Sequence, residues 1–156
     1  MAAVKRVSSR SQRVQTVRLH AAARRATLLI PSGPPDDPDR KHLFILLTDP
    51  RADDTGTASV LMVSLSTIRQ GVPFDHSCLL YPADHPFVRR NSYVVYQRAR
   101  LEAVDVVLRG INSGHLVPQA ALDGAVFARV CRGFEESRLT PPRLLDFYHR
   151  AAETGS

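Results

Sequence analysis

The stretch PSGPPDDPDRKHLFILLTDP, residues 31–50, sets a run of turn formers directly against an apolar run, and so limits what the chain can fold into. Residues 31–40 hold four prolines and three aspartates, which fix φ, remove donors and hydrogen-bond their own backbone, so they predict a loop. Residues 41–50 form a near-continuous apolar run, short enough for a buried strand and closed by Asp49-Pro50. The same alternation of short strand and polar turn recurs. ATLLIPSG (26–33), SVLMVSLST (59–67), DHSCLLYP (75–82) and SYVVYQRARL (92–101) read as further strands. Short strands between Pro, Gly and Asp turns predict a small barrel or a strongly curved sheet, because closure removes exposed edges.

The C-terminal third changes period. In residues 118–138, Leu122, Val126, Val130 and Phe134 recur at i+4 steps, predicting a helix with one buried face. LTPPRLLDFYHR (139–150) adds a second helix, with Thr140 as N-cap and Pro141 at the first helical position. The expected class is therefore mainly β, a small barrel with flanking C-terminal helices. Three segments are expected: a basic extension over 1–25, the barrel with its closing helix over 26–137, and a short helix and tail over 138–156.

Charge is distributed unevenly. Residues 1–35 carry seven basic side chains and no acid, whereas the rest of the chain carries 14 basic and 15 acidic ones. The folded part is close to neutral, so nucleic-acid binding there requires a local cluster. The basic extension reads as a disordered tail, as residues translated from an upstream start, or as a transit peptide, whose Arg-rich, acid-free composition it shares. No apolar run approaches the 18 or so residues of a membrane span. Two cysteines, Cys78 and Cys131, suit neither a disulfide scaffold nor a zinc motif, and a reducing cytoplasm is expected.

Several residues invite chemistry. Arg40, Lys41 and His42 place three potential cations at the entrance to a buried strand. Ser64, Ser66 and Thr67 end another strand with hydroxyls, either as phosphate donors or as strand-end caps. His76 and Cys78 share a strand face as a thiol and its base, or Cys78 is simply core. His85 in DHPF is a turn residue or a catalytic base. No His, Cys, Asp or Glu spacing forms a known metal motif, and no metal or other cofactor is expected. Strict alternation along 92–101 puts Tyr93, Val95, Ala99 and Leu101 on a core face. Ser92, Val94, Tyr96, Arg98 and Arg100 then form the other face, either an RNA path or a solvated surface.

The order of these elements resembles the MazF/PemK toxins of type II toxin-antitoxin systems. ATLLIPSGPP is similar to the family's opening strand and mobile loop, RKHLFILLTD to its Arg-Pro and apolar strand, and VLMVSLS to its apolar run ending in Thr. NSYVVYQRARLEAV is similar to its Ser-Val-Val, Gln-x-Arg strand, and LDGAVFARVCRGF to its closing helix. The resemblance spans about residues 26–136. It implies an SH3-like barrel that dimerises, is neutralised by an antitoxin protein, and cuts single-stranded RNA through the RNA's own 2′-hydroxyl without a metal. Carried across, Lys41 stands at the family's Arg, with Arg40 beside it and His42 at the Pro, and Ser66 stands at the Thr, followed by Thr67. Arg40 replaces Lys41 in that role if the register shifts by one, and His42 is a candidate acid or base. Tyr96, Arg98 and Arg100, with Thr67, would line the RNA. The alternatives are a catalytically inactive barrel that binds RNA or a protein partner, and a His-dependent hydrolase using His42 or His85.

Overall fold

The computed structural model describes residues 21–153. Seven strands form one antiparallel sheet: β1 (Thr27–Pro31), β2 (Lys41–Leu46), β3 (Arg51–Ala52), β4 (Ala58–Thr67), β5 (Leu79–Leu80), β6 (Ser92–Ala103) and β7 (Val117–Gln119). Their spatial order is β5-β6-β4-β2-β1-β7, with β3 paired to β4. The sheet curls as a half-barrel, and its terminal strands β5 and β7 do not pair with each other. Three helices complete the described chain: α1 (Val104–Ser113), α2 (Gly124–Glu136) and α3 (Pro142–Glu153).

The apolar runs of β2 and β4 are continuous because both faces of the sheet are covered. Leu43, Ile45, Leu61 and Val63 face a core shared with Phe134 of α2 and Phe147 of α3. Their neighbours Phe44, Leu46, Val60 and Met62 face a second core that includes Val107 of α1. That second core also holds Ala22 and Ala26, so the folded body reaches back before residue 26. Of the basic extension expected over residues 1–25, residues 1–20 lie outside the described residues. At the other end, Leu144 and Phe147 are buried in the main core, which makes α3 part of the domain and not an appendage.

Other expectations need correction. The strand predicted over 75–82 contracts to Leu79–Leu80, and a 3-10 turn over Pro82–Asp84 follows it. Asp75 explains part of the contraction, since it accepts from Ser77 N–H, Ser77 Oγ and Ser137 Oγ and holds its surroundings as a turn. Burial is the largest single influence on its carboxyl and raises the pKa, but the bonds from Ser137 and Ser77 together outweigh it and hold the carboxyl below the usual range. Thr140 does not cap α3; its hydroxyl donates to the Phe134 carbonyl and ties α3 to the end of α2. The α2 cap is Asp123, which accepts from Ala125 N–H.

The largest correction concerns β6. Its pairing with β4 passes from Met62↔Arg100 to Ser64↔Val95, so residues 96–99 lie opposite the single Val63. An odd number of extra residues reverses which side chains point inward. Ser92, Val94 and Tyr96 are buried before the bulge, Ala99 after it, and Arg98 and Arg100 are exposed. Tyr96 therefore does not share a face with the two arginines. It is fully buried, its hydroxyl donates to the Val130 carbonyl at 2.7 Å, and burial pushes its phenol far up. The expectation that Tyr96 lines an RNA path is overturned.

Candidate functional site

Strands β2 and β4 pair only from Phe44↔Ser64 inward, although both continue outward, to Lys41 and to Thr67. Beyond that rung each follows its other neighbour. Lys41 and His42 stay paired to Pro31 and Ile30 of β1, and Ser66 and Thr67 to Tyr93 and Ser92 of β6. The sheet forks there, and a cleft of about 320 Å³ opens between its two arms.

Arg40, Lys41 and His42 line one wall of this cleft, and Leu65, Ser66 and Thr67 the other. Residues 87–90 and Arg69 complete it. The structure thus brings together Arg40, Lys41, His42, Ser66 and Thr67, which the sequence singled out separately. It adds Arg69, Arg89 and Arg90, which the sequence reading did not include. The signal for the last two was available as adjacent arginines just ahead of a strand. Five Arg and Lys side chains border the cleft with no Asp or Glu among its lining residues. None of the five forms an ion pair among the described residues. Such a concentration of uncompensated positive charge in a concave site attracts anions.

The main chain contributes as well. Ser32 N–H donates to the Arg40 carbonyl and Leu46 N–H to the Ala26 carbonyl, whereas Leu47 N–H donates to the Leu61 carbonyl. Even-numbered residues of β2 thus turn their peptide groups toward β1, and odd-numbered ones toward β4. On β4, Ile68 N–H donates to the Asn91 carbonyl, which directs even-numbered residues toward β6. Lys41 and Thr67 therefore turn their N–H and C=O groups into the opening, beyond the last rung. Side chains alternate too, with Lys41 and Thr67 on the face of Leu43 and Leu65, and His42 and Ser66 on the other.

His42 is half-buried, and its Nδ1 lies 2.7 Å from Ser32 Oγ, which is also 3.2 Å from the Ile30 carbonyl. Ser32 has one proton to give. If it donates to Ile30, His42 Nδ1–H donates to Ser32, and every donor has an acceptor while Nε2 keeps its lone pair. Burial, then the charges of Arg40 and Arg98, lower the pKa of His42 below its usual 6.5. The folded state thus takes up a proton here less readily than the unfolded chain. This group's share of stability is complete above the unfolded value and is lost as pH falls through the lowered folded value. Urea unfolding of wild type between about pH 7 and pH 5 should show a loss of stability that is smaller in His42→Asn. Identical pH profiles would show that His42 keeps its usual affinity for protons.

His85 is elsewhere and otherwise occupied. It is 3% exposed, its Nδ1 accepts from Phe87 N–H, and its Nε2 lies 2.7 Å from the Ala120 carbonyl. That pattern assigns the proton to Nε2 and ties the base of the 87–90 loop to the segment after β7. Thr27 Oγ1 donates to the same carbonyl. His85 is thereby a structural tie, not a base facing the cleft. Cys78 is buried in the main core, where burial pushes its thiol up, and His76 stacks on Phe74 with ring centroids 4.1 Å apart. Arg98 and Arg100 lie outside the cleft, and Arg100 sits over the Phe44 ring at 4.9 Å. Among the described residues no three His, Cys, Asp or Glu side chains cluster as metal ligands, and no helix is long and apolar enough to cross a membrane. Comparison of the chain with family models, with curated proteins and with solved structures gave no match.

Proposed function

We propose that the chain is a MazF/PemK-like endoribonuclease of an SH3-like barrel type, the toxin of a type II toxin-antitoxin pair, acting on single-stranded RNA. The observation that carries this reading is the forked sheet, which sets Arg40 and Lys41 across a cleft from Ser66 and Thr67 with no carboxylate between them. Cations and hydroxyl donors are what an anionic, phosphorane-like transition state requires. In the proposed step the RNA's 2′-oxygen attacks the adjacent phosphorus while its proton passes to neutral His42. The bond from phosphorus to the 5′-oxygen breaks, and that oxygen takes up a proton from water, to which protonated His42 later returns the one it accepted. The products are a 2′,3′-cyclic phosphate and a 5′-hydroxyl. A cytoplasmic homodimer held inactive by an acidic antitoxin completes the reading.

Labelled single-stranded RNA incubated with the full chain should be cut with or without EDTA. Both Lys41→Ala and Ser66→Ala should lose cleavage by about two orders of magnitude, the scale of one lost oxyanion donor. Intact RNA across varied sequences would sink the nuclease reading.

One feature favours a second reading, a barrel that binds RNA without cutting it. Lys41 is a point charge and cannot hold phosphate with the planar fork of an arginine. On that reading RNA binds in the same assay, remains uncut, and is released by the same substitutions.

A further inference from the structure

A second concavity, of about 530 Å³, lies between β6, the 73–77 segment and the C-terminal end of α2. Phe74 and Tyr93 line it, with ring centroids 5.3 Å apart, and His76 stacks against Phe74. Gln97, Glu136 and Arg138 also line it, and none of the three has a hydrogen-bond or ion-pair partner among the described residues. The site has the composition of a ligand pocket, an aromatic and apolar wall with a few unpaired polar groups converging on it.

Its position relative to the cleft identifies the occupant. Tyr93 is the cross-strand neighbour of Ser66, so the two side chains stand on the same face of the sheet. Ser66 in turn lines the cationic cleft. A chain with its phosphate in the cleft therefore has an aromatic platform one strand away, a separation that an adjoining nucleotide can span. Aromatic rings accept the faces of unstacked bases, and polar groups around them read base edges.

We infer that this concavity is a nucleobase subsite for single-stranded RNA, with Phe74 and Tyr93 as the stacking wall and Glu136 as the edge reader. The inference rests on the RNA reading of the cleft. A carboxylate accepts hydrogen bonds only, so it favours guanine, whose N1–H and N2–H2 lie side by side, over uracil, which offers a single N–H. Arg138 supplies a donor to the guanine O6 acceptor. Gln97, which both donates and accepts, adds no discrimination of its own.

The test uses fluorescently labelled 2′-O-methyl hexanucleotides, which lack the attacking hydroxyl, differ at one position, and are titrated by anisotropy against the full chain. Wild type should bind the guanine-containing oligonucleotide about 10-fold tighter than its uracil counterpart. Phe74→Leu and Tyr93→Leu should each weaken binding about 10-fold. Glu136→Gln should abolish the guanine preference while leaving uracil affinity unchanged. Thermal melting of each variant separates a lost ring from a lost fold, and the exposed Glu136 supplies a readout independent of packing. If both ring variants bind as wild type does and Glu136→Gln keeps the preference, while Arg40→Ala still weakens binding, the subsite is refuted and the cleft stands. If wild type binds no RNA of any composition, the cleft reading and the subsite fall together.

Discussion

Replacing Gly133 by valine should destabilise the domain by about 3 kcal/mol, at the upper end for overpacking a core. A Cβ at this position would stand 2.3 Å from the Tyr96 hydroxyl and 2.9 Å from Cys78 Cβ. The phenol has no easy retreat, because it is fully buried and donates to the Val130 carbonyl of the same helix. Helix α2 approaches the sheet this closely only because it presents hydrogen at that point. For a chain of this size the melting temperature should fall by roughly 10 °C. Gly133→Ala should show a smaller loss, part of which Tyr96→Phe should recover by removing the nearest obstructing atom. A double-mutant cycle measured by urea unfolding checks this. Additive single effects would mean that the helix shifts as a body and that the approach of Tyr96 to Gly133 is not the constraint.

The second large effect is electrostatic. Removing Arg40 and Arg90 together should weaken single-stranded RNA binding by about 10- to 100-fold at moderate salt, through the loss of two phosphate contacts. It should also reduce the slope of log affinity against log salt by about 1.4, since each contact to a single strand contributes roughly 0.7. These arginines are chosen because they border the cleft from opposite sides of the fork and pair with no carboxylate. The corresponding pair Arg132→Ala and Arg143→Ala, outside the cleft, should leave the slope unchanged. A slope insensitive to Arg40 and Arg90 would place RNA elsewhere on the surface.

The sequence made the central strands legible because β2 and β4 are apolar on both faces and end in prolines, aspartates or hydroxyls. The half of the site that sits on those strand ends was legible for the same reason. Arg40 to His42 and Ser66 to Thr67 were marked by position, and antiparallel neighbours bring such ends together. Helix α1 escaped notice although Val104, Val107, Leu108 and Ile111 follow helical spacing and Gly114 ends it with φ 79°. Its valines favour strands, and it begins directly where β6 stops, with no polar cap to separate the two. Strand β7 is three residues long and centred on Pro118, tolerated because it lies at the edge of the sheet. Arg69, Arg89 and Arg90 come from loops whose path no periodicity encodes.

Tyr96 shows a different kind of limit. The inward face was read correctly after residues 96–99 and carried back wrongly across them, which put Tyr93 and Val95 on the core face although Ser92, Val94 and Tyr96 are the buried residues there, because a bulge leaves no mark in polarity alone.

That bulge makes β6 behave like a text written in two frames. Upstream of it the even positions spell the interior, and downstream the odd ones do. Each half takes its frame from its pairing with β4, because cross-strand partners share a face, and the three extra residues between the halves are where one frame gives way to the other. Losing one of them leaves an even number, which needs no change of frame and keeps the same side chains inward.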